Sequence, residues 1–593
     1  MPPKRPLKRR GDDDGDRSPA RRPKRPGKNK REQTYDTYDE ALDGGVEMEE
    51  KGERYRDGDK AQRFYERAVE LYSKALDLHE TYDAAYNQAR ALYALSTNFL
   101  LPPSSLDPLR RSLVLYRQAT TLTNSPLLRM DVGFNLSQAC SSLADVLEDL
   151  DPEDSKAEVR KLREEARDVL QEVMDGQEEY LRATGEDTEV AEAENEVIDV
   201  VEAGAEGEQS MEVDSKSEAA ENGQEDESAT FETHLPTPST FIDTVIALID
   251  LHLSLWDSAP VPRTPTEEEQ GVVRNILDRA GPLAPPGRQA ELDLTEIKVL
   301  LAMDSIVWDL FRAQAQVGMG LERSLEGAIA ALGAVLASLD VAPPQDELTV
   351  RADVLTTLAD THTVIASRML FLNTQLPPGP SPLAQQAWFH LSSATTHLTT
   401  ALDLPTNAAN APREFKPSVF LSLSKVSLAR ARLSPINETA HRNVEQLIDN
   451  ASTYAARAGE GLGWKFLLVG SIATSTTNTG ALSLSIGGAS VSGSSNELPY
   501  QAGWESESLA RTISFQQIRV CLYASRTDLL PETSRKKYAE GLERILNGLQ
   551  SVKPSDTERK VGERDLKRWL GDLEDDEGGV LDIENGWWGE VFV

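Results

Sequence analysis

Two histidines seven residues apart, His390 and His397, come closest in this sequence to a metal-binding or catalytic pair. On a helix such a spacing puts both imidazoles on one face, where they could ligate a metal ion. No carboxylate stands between them in a metallopeptidase-like position, so they are expected to be partly exposed polar residues of a packed helix. The two cysteines, Cys140 and Cys521, are too few for a disulfide scaffold or a cysteine zinc site and fit a reducing compartment. Cys140 follows Ala139 at an inward-looking helical position, which suits a small core residue better than a nucleophile. Gly487-Gly488 lies in low-complexity sequence with no buried strand before it, so it is no phosphate-cradling loop. There is neither a glycine loop ending in Gly-Lys-Ser/Thr nor a Gly-x-Ser-x-Gly elbow. The reading is a non-enzyme with no cofactor and no metal.

The chemistry that the sequence does offer is charge. Of 593 residues, 98 are Asp or Glu and 62 are Lys or Arg, a net charge of −36. That acidity makes direct DNA binding an unfavourable expectation, because duplex binding neutralises phosphates. Residues 1–31 run the other way, with 13 Lys or Arg against four Asp. Two clusters stand out there: Lys4 and Arg5 with Lys8, Arg9 and Arg10, then Arg21 and Arg22 with Lys24 and Arg25. Short basic runs in a proline-rich tail read as a nuclear import signal recognised by an import receptor. Residues 186–227 hold 17 Asp or Glu and one Lys, with almost no aromatics to offset the entropy of ordering. They read as a disordered acidic insert, either a linker or a polyanion for a basic protein client. The remainder of the chain is also acidic. No uninterrupted apolar run reaches the length of a membrane span, so no membrane partner is expected.

The rest of the sequence has a helical period nearly throughout. Ala61, Tyr65, Ala68, Tyr72 and Ala75 alternate steps of four and three, which lays a small–large–small stripe along one face. The pattern returns as Ala387, Leu391, Ala394, Leu398 and Ala401. Small residues let a neighbouring helix approach, and the larger ones fill the groove between. A second pattern recurs 48 residues apart: Tyr86-Asn87-Gln88-Ala89-Arg90 is matched by Phe134-Asn135-Leu136-Ser137-Gln138. Between them Ser112, Tyr116 and Ala119 repeat the small–aromatic–small helix. Alternating helices of two kinds are the signature of a solenoid.

Asp83 to Tyr93 resembles the first helix of a tetratricopeptide repeat, and Ala68, Tyr72 and Ala75 resemble the second helix of the unit before it. The resemblance covers about residues 40–180 and, more weakly, 345–460. It departs from the family in its longer spacing, in Glu80 where a proline usually ends the repeat, and in the long loop at 98–107. The resemblance implies that Asn87, Arg90, Asn135 and Gln138 line a concave groove that holds a partner peptide. An acidic segment interrupting such repeats is similar to the build of nuclear histone chaperones and of ribosomal-protein carriers. Lys4-Arg5-Pro6-Leu7 resembles the start of a fungal nuclear helical-repeat family that includes the enhancer of translation termination, with Lys8 where that family continues with Gly.

The expected architecture is therefore all-α, a tetratricopeptide-like helical-hairpin solenoid. Its expected parts are a disordered basic tail (1–34), repeats (35–182), the acidic insert (183–230), a second helical repeat region (231–470), a Gly/Ser/Thr-rich loop (471–500) and C-terminal helices with an acidic, aromatic tail (501–593). The expected function is that of a nuclear scaffold or chaperone for a basic client, a histone or a ribosomal protein. The alternative is an adaptor in transcription, nuclear transport or translation control that docks a partner peptide in the solenoid groove.

Overall fold

The computed structural model describes residues 35–55, 58–151, 154–198, 235–259, 263–314, 322–341, 347–374, 379–405, 414–462, 504–551, 556–577 and 587–588. The basic tail, most of the acidic insert and the Gly/Ser/Thr-rich loop expected from sequence lie outside these residues. Within them are seventeen α-helices, two short 3-10 turns and no strand. The first six are α1 (Tyr38–Tyr55), α2 (Asp59–Leu78), α3 (Tyr82–Asn98), α4 (Leu106–Leu122), α5 (Pro126–Leu150) and α6 (Lys156–Ile198). Then come α7 (Pro238–Asp257), α8 (Glu267–Ala280), α9 (Gln289–Gln314), α10 (Glu322–Val341), α11 (Glu347–Asn373) and α12 (Pro382–Leu402). The last five are α13 (Phe415–Arg432), α14 (Glu438–Gly461), α15 (Trp504–Arg526), α16 (Glu532–Ser551) and α17 (Asp556–Glu577).

Local chemistry sets where many of these helices start. Thr81, Ser125, Ser381 and Asn437 each accept a backbone N–H of the first turn, and proline follows Ser125 and Ser381 at a position where no N–H is needed. Thr266 and Glu269 form a reciprocal capping box at α8. Most consecutive helices then pack against each other as hairpins, while α7 receives both α8 and α9, and α15 both α16 and α17. The chain is an all-α, tetratricopeptide-like helical-hairpin array.

Both small–large–small stripes are buried throughout, from Ala61 to Ala75 and from Ala387 to Ala401. The partner of the first stripe is a run of glycines on α1. A Cβ on Gly45 would lie 2.3 Å from the Tyr72 ring, and one on Gly52 2.7 Å from the Tyr65 ring. The two tyrosines therefore sit directly on α1 backbone.

The cores follow one another along the array, as expected when each hairpin needs its neighbour to bury its apolar face. One core runs without a break from α3 to α9, so Phe241 and Ile242 after the acidic insert share it with Leu143 and Met174 before it. Further cores join α9 to α11, α10 to α14, and α13 to α17. One boundary differs from the sequence expectation. Helix α6 runs on to Ile198, past the residue-183 boundary, because its Glu- and Ala-rich sequence has good helix propensity. Helix α7 is long and apolar enough by composition to cross a membrane, with Asp243 and Asp250 interrupting its apolar runs, but Phe241, Val245, Leu248 and Ile249 are buried in the protein core.

Candidate partner-binding face

Helices α1, α3 and α5 lie side by side, and polar bonds lock them in register. Tyr82, Tyr86 and Tyr93 fall on one face of α3, and every one of their hydroxyls reaches α5. Tyr82 donates to the Leu128 carbonyl at 3.3 Å, Tyr86 accepts from Asn135 at 3.0 Å, and Tyr93 bonds Ser142 at 3.1 Å. The second layer is fixed by charge: Arg110 pairs with Glu158 at 3.1 Å and Arg117 with Glu165 at 2.7 Å, joining α4 to α6. Both pairs span 48 residues, the interval of the sequence repeat.

The four expected groove residues come together on α3 and α5 but in different states. The Asn135 amide donates to the Tyr86 hydroxyl and, at 2.9 Å, to the Asp131 carbonyl, so it links two helices of the array. Arg90 is tied to Glu49 of α1 at 3.0 Å. Glu49 is only 4% exposed and also accepts the Tyr72 hydroxyl at 2.8 Å. Burial opposes the Arg90 charge, but the Glu49 carboxylate outweighs it and holds the guanidinium above its usual range. Asn87 is half-buried and Gln138 exposed, and among the described residues neither amide has a hydrogen-bond partner. The basic residues of the expected import signal, Lys4 to Arg25, lie outside the described residues.

The sequence reading did not single out the outer face of α1. Asp39, Asp43, Glu50 and Glu53 are all exposed there, with Val46 among them. Steps of four, seven and three place them on one stripe about 21 Å long. Neighbouring acids are already engaged. Glu47 pairs with Lys51 at 2.6 Å, Asp36 lies 3.9 Å from Lys74, and Glu40 accepts the Asp36 and Thr37 backbone N–H groups, which hold its carboxyl below the usual range. The helical spacing of the acids was the available signal.

His390 and His397 both face His362 of α11. The Nδ1 atoms of His362 and His390 are 2.8 Å apart, and the His362 and His397 rings stack at 5.5 Å. Burial, then the two neighbouring imidazoles, pushes His362 down to about 4, so all its packing favours the neutral ring. Among the described residues no group of three His, Cys, Asp or Glu is placed to hold a metal ion. Cys140 and Cys521 are buried, and burial pushes each thiol up to about 12. A cleft of about 610 Å³ opens between α6, α7 and α8 against Trp256 and His252. Its arginines are internally neutralised, Arg160 by Glu164, Arg167 by Asp168 and Arg263 by Glu269.

No family model matches the chain, and no curated protein matches it. Two solved structures are similar in helical build. One is a circular tandem repeat protein with novel repeat topology and enhanced subunit contact surfaces, 12% identical over 90% of this chain and 97% of that one, with a TM-score of 0.24. The other is the structure of Naa15/Naa10 bound to HypK-THB, 10% identical over 94% of this chain and 79% of that one, with a TM-score of 0.15. The assignment of this chain to the helical-repeat class stands on its own hairpins and 48-residue register.

Proposed function

We propose that this chain is a non-enzymatic nuclear scaffold or chaperone that holds a basic protein client, a histone or a ribosomal protein. The observation that carries the reading is the open acidic stripe of α1, with Asp39, Asp43, Glu50 and Glu53 exposed at the end of the array. A rigid row of carboxylates on a chain of net charge −36 steers a basic partner and rejects an acidic one. Residues 186–227 add further negative charge, and the tail clusters around Lys8 and Arg22 provide for nuclear import. A pull-down from nuclear extract, with and without residues 186–227 and with the α1 stripe neutralised, tests this. Recovery of basic proteins only with the acidic elements present supports the reading, and recovery of the same proteins without them refutes it.

A second reading, an adaptor that docks a partner peptide, is favoured by one observation. The Asn87 and Gln138 amides are left without partners on adjacent helices, and an amide supplies both a donor and an acceptor for an extended backbone. Binding that survives high salt but is lost on Asn87→Ala with Gln138→Ala would select it over the first.

A further inference from the structure

Helix α17 has two working faces. Leu566, Trp569 and Leu573 are buried in the C-terminal core, where Trp569 meets Trp588 with ring centroids 5.1 Å apart. Asp565 is held by Arg511 of α15. Arg564 and Arg568 stand one turn apart on the opposite side of the helix, and both reach the C-terminal end of α5, more than 400 residues away in sequence. Arg564 donates to the Leu150 carbonyl, and Arg568 pairs with Asp149.

The chemistry of this contact is unlike that of the hairpins. The last carbonyls of a helix have no intrahelical donor and carry the negative end of its dipole, so cations are favoured there. Arg564 satisfies one such carbonyl, and Asp149 adds a full negative charge beside it. Neither arginine contributes to the apolar core that anchors α17, and the Arg568 side chain is 49% exposed. Ions at such a site are screened by salt, whereas the buried Trp569 face is not. One side of α17 is therefore held by burial, and its contact with α5 carries these two charged links; α17 also touches α11.

We propose that α17 is a salt-sensitive clasp: Arg564 and Arg568 hold it on the end of α5, and loss of these links frees α17 from α5. The proposal is independent of any client. Closed, the clasp covers Asp149 and the α5 terminus; open, it exposes both and separates α17 from α5.

Dipolar spectroscopy on the full chain tests it, with nitroxides at Asp154→Cys and Lys567→Cys, both exposed positions. The native cysteines are buried and their thiols raised, so they stay unlabelled in the folded protein. At low salt the distance between labels is short and narrowly distributed. Raising the salt, or combining Arg564→Ala with Arg568→Glu, removes the short-distance population without loss of helix content. Asp149→Arg combined with Arg568→Glu brings it back. A short distance that persists through salt and charge removal overturns the clasp, as does its absence at low salt. If the double variant loses helix content, the charge-exchange pair decides: failure to recover the short distance in that folded protein overturns the proposal.

Discussion

The Tyr72 hydroxyl donates to the buried Glu49 carboxylate at 2.8 Å, and Arg90 reaches the same carboxylate from a third helix. One acid thus joins α1, α2 and α3. Removing it leaves a tyrosine hydroxyl without an acceptor and an arginine without its counter-charge. Glu49→Ala is expected to cost about 1.5–3 kcal/mol, in the lower part of that range because Arg90 keeps part of its hydration. Tyr72→Phe should cost little more once Glu49 is gone, since the two share one bond. Thermal unfolding of the single and double variants measures this, and additive losses would show that the bond contributes nothing.

Two glycines should respond oppositely to the same substitution. Gly45→Ala drives a methyl into the Tyr72 ring at 2.3 Å and should destabilise by about 1–3 kcal/mol. Gly271 of α8 has open space around its Cβ position, so Gly271→Ala should stabilise by about 0.5–1 kcal/mol through helix propensity. Equal melting temperatures for the two variants would contradict the packing of α1 on α2.

Acid should weaken the α11–α12 hairpin. His362 binds its proton near pH 4 when folded against an ordinary value of 6.5, chiefly because of burial and then because of His390 and His397. The unfolded chain takes up the proton first, so the contribution is complete above about pH 6.5 and is lost as the pH falls toward 4. For this buried ring it amounts to roughly 3 kcal/mol at most. His252, lowered to about 4 by burial and Arg167, acts in the same direction but is half-exposed. His362→Gln should flatten the stability profile between pH 6.5 and 4 as followed by chemical denaturation. An unchanged slope would place the titration elsewhere.

The paired asparagines should separate. Asn135→Ala breaks the bond to Tyr86 and should lower stability by about 1 kcal/mol, while Asn87→Ala, with no bond to lose, should stay within about 0.5 kcal/mol. Matching melting curves for the two variants would mean that the Tyr86–Asn135 bond is worth nothing in solution.

Much of this fold was legible in the sequence because local period and burial agree. The stripe from Ala61 to Ala75 named a buried face, and the 48-residue recurrence reappears as the spans of Arg110–Glu158 and Arg117–Glu165. Glu49 was not legible. In a helix as charged as α1 it reads as one more solvated acid, and its burial follows from Gly45 and Gly52 admitting two tyrosine rings. His362 and Arg564 were missed for a related reason. Their partners are set by which helices meet in space, and no periodicity along one helix reports that.

The most direct measurement of the proposed function is a titration of a purified histone, and in parallel a basic ribosomal protein, against the full chain over a salt series. The comparison protein carries Asp39→Asn, Asp43→Asn, Glu50→Gln and Glu53→Gln. The expected result is tight binding that weakens steeply with salt, and a loss on the order of tenfold in the comparison protein at low salt, about 1.4 kcal/mol shared among four exposed charges. Its melting temperature should not fall. Affinity that ignores both salt and the four substitutions would contradict an acidic face that holds a basic client.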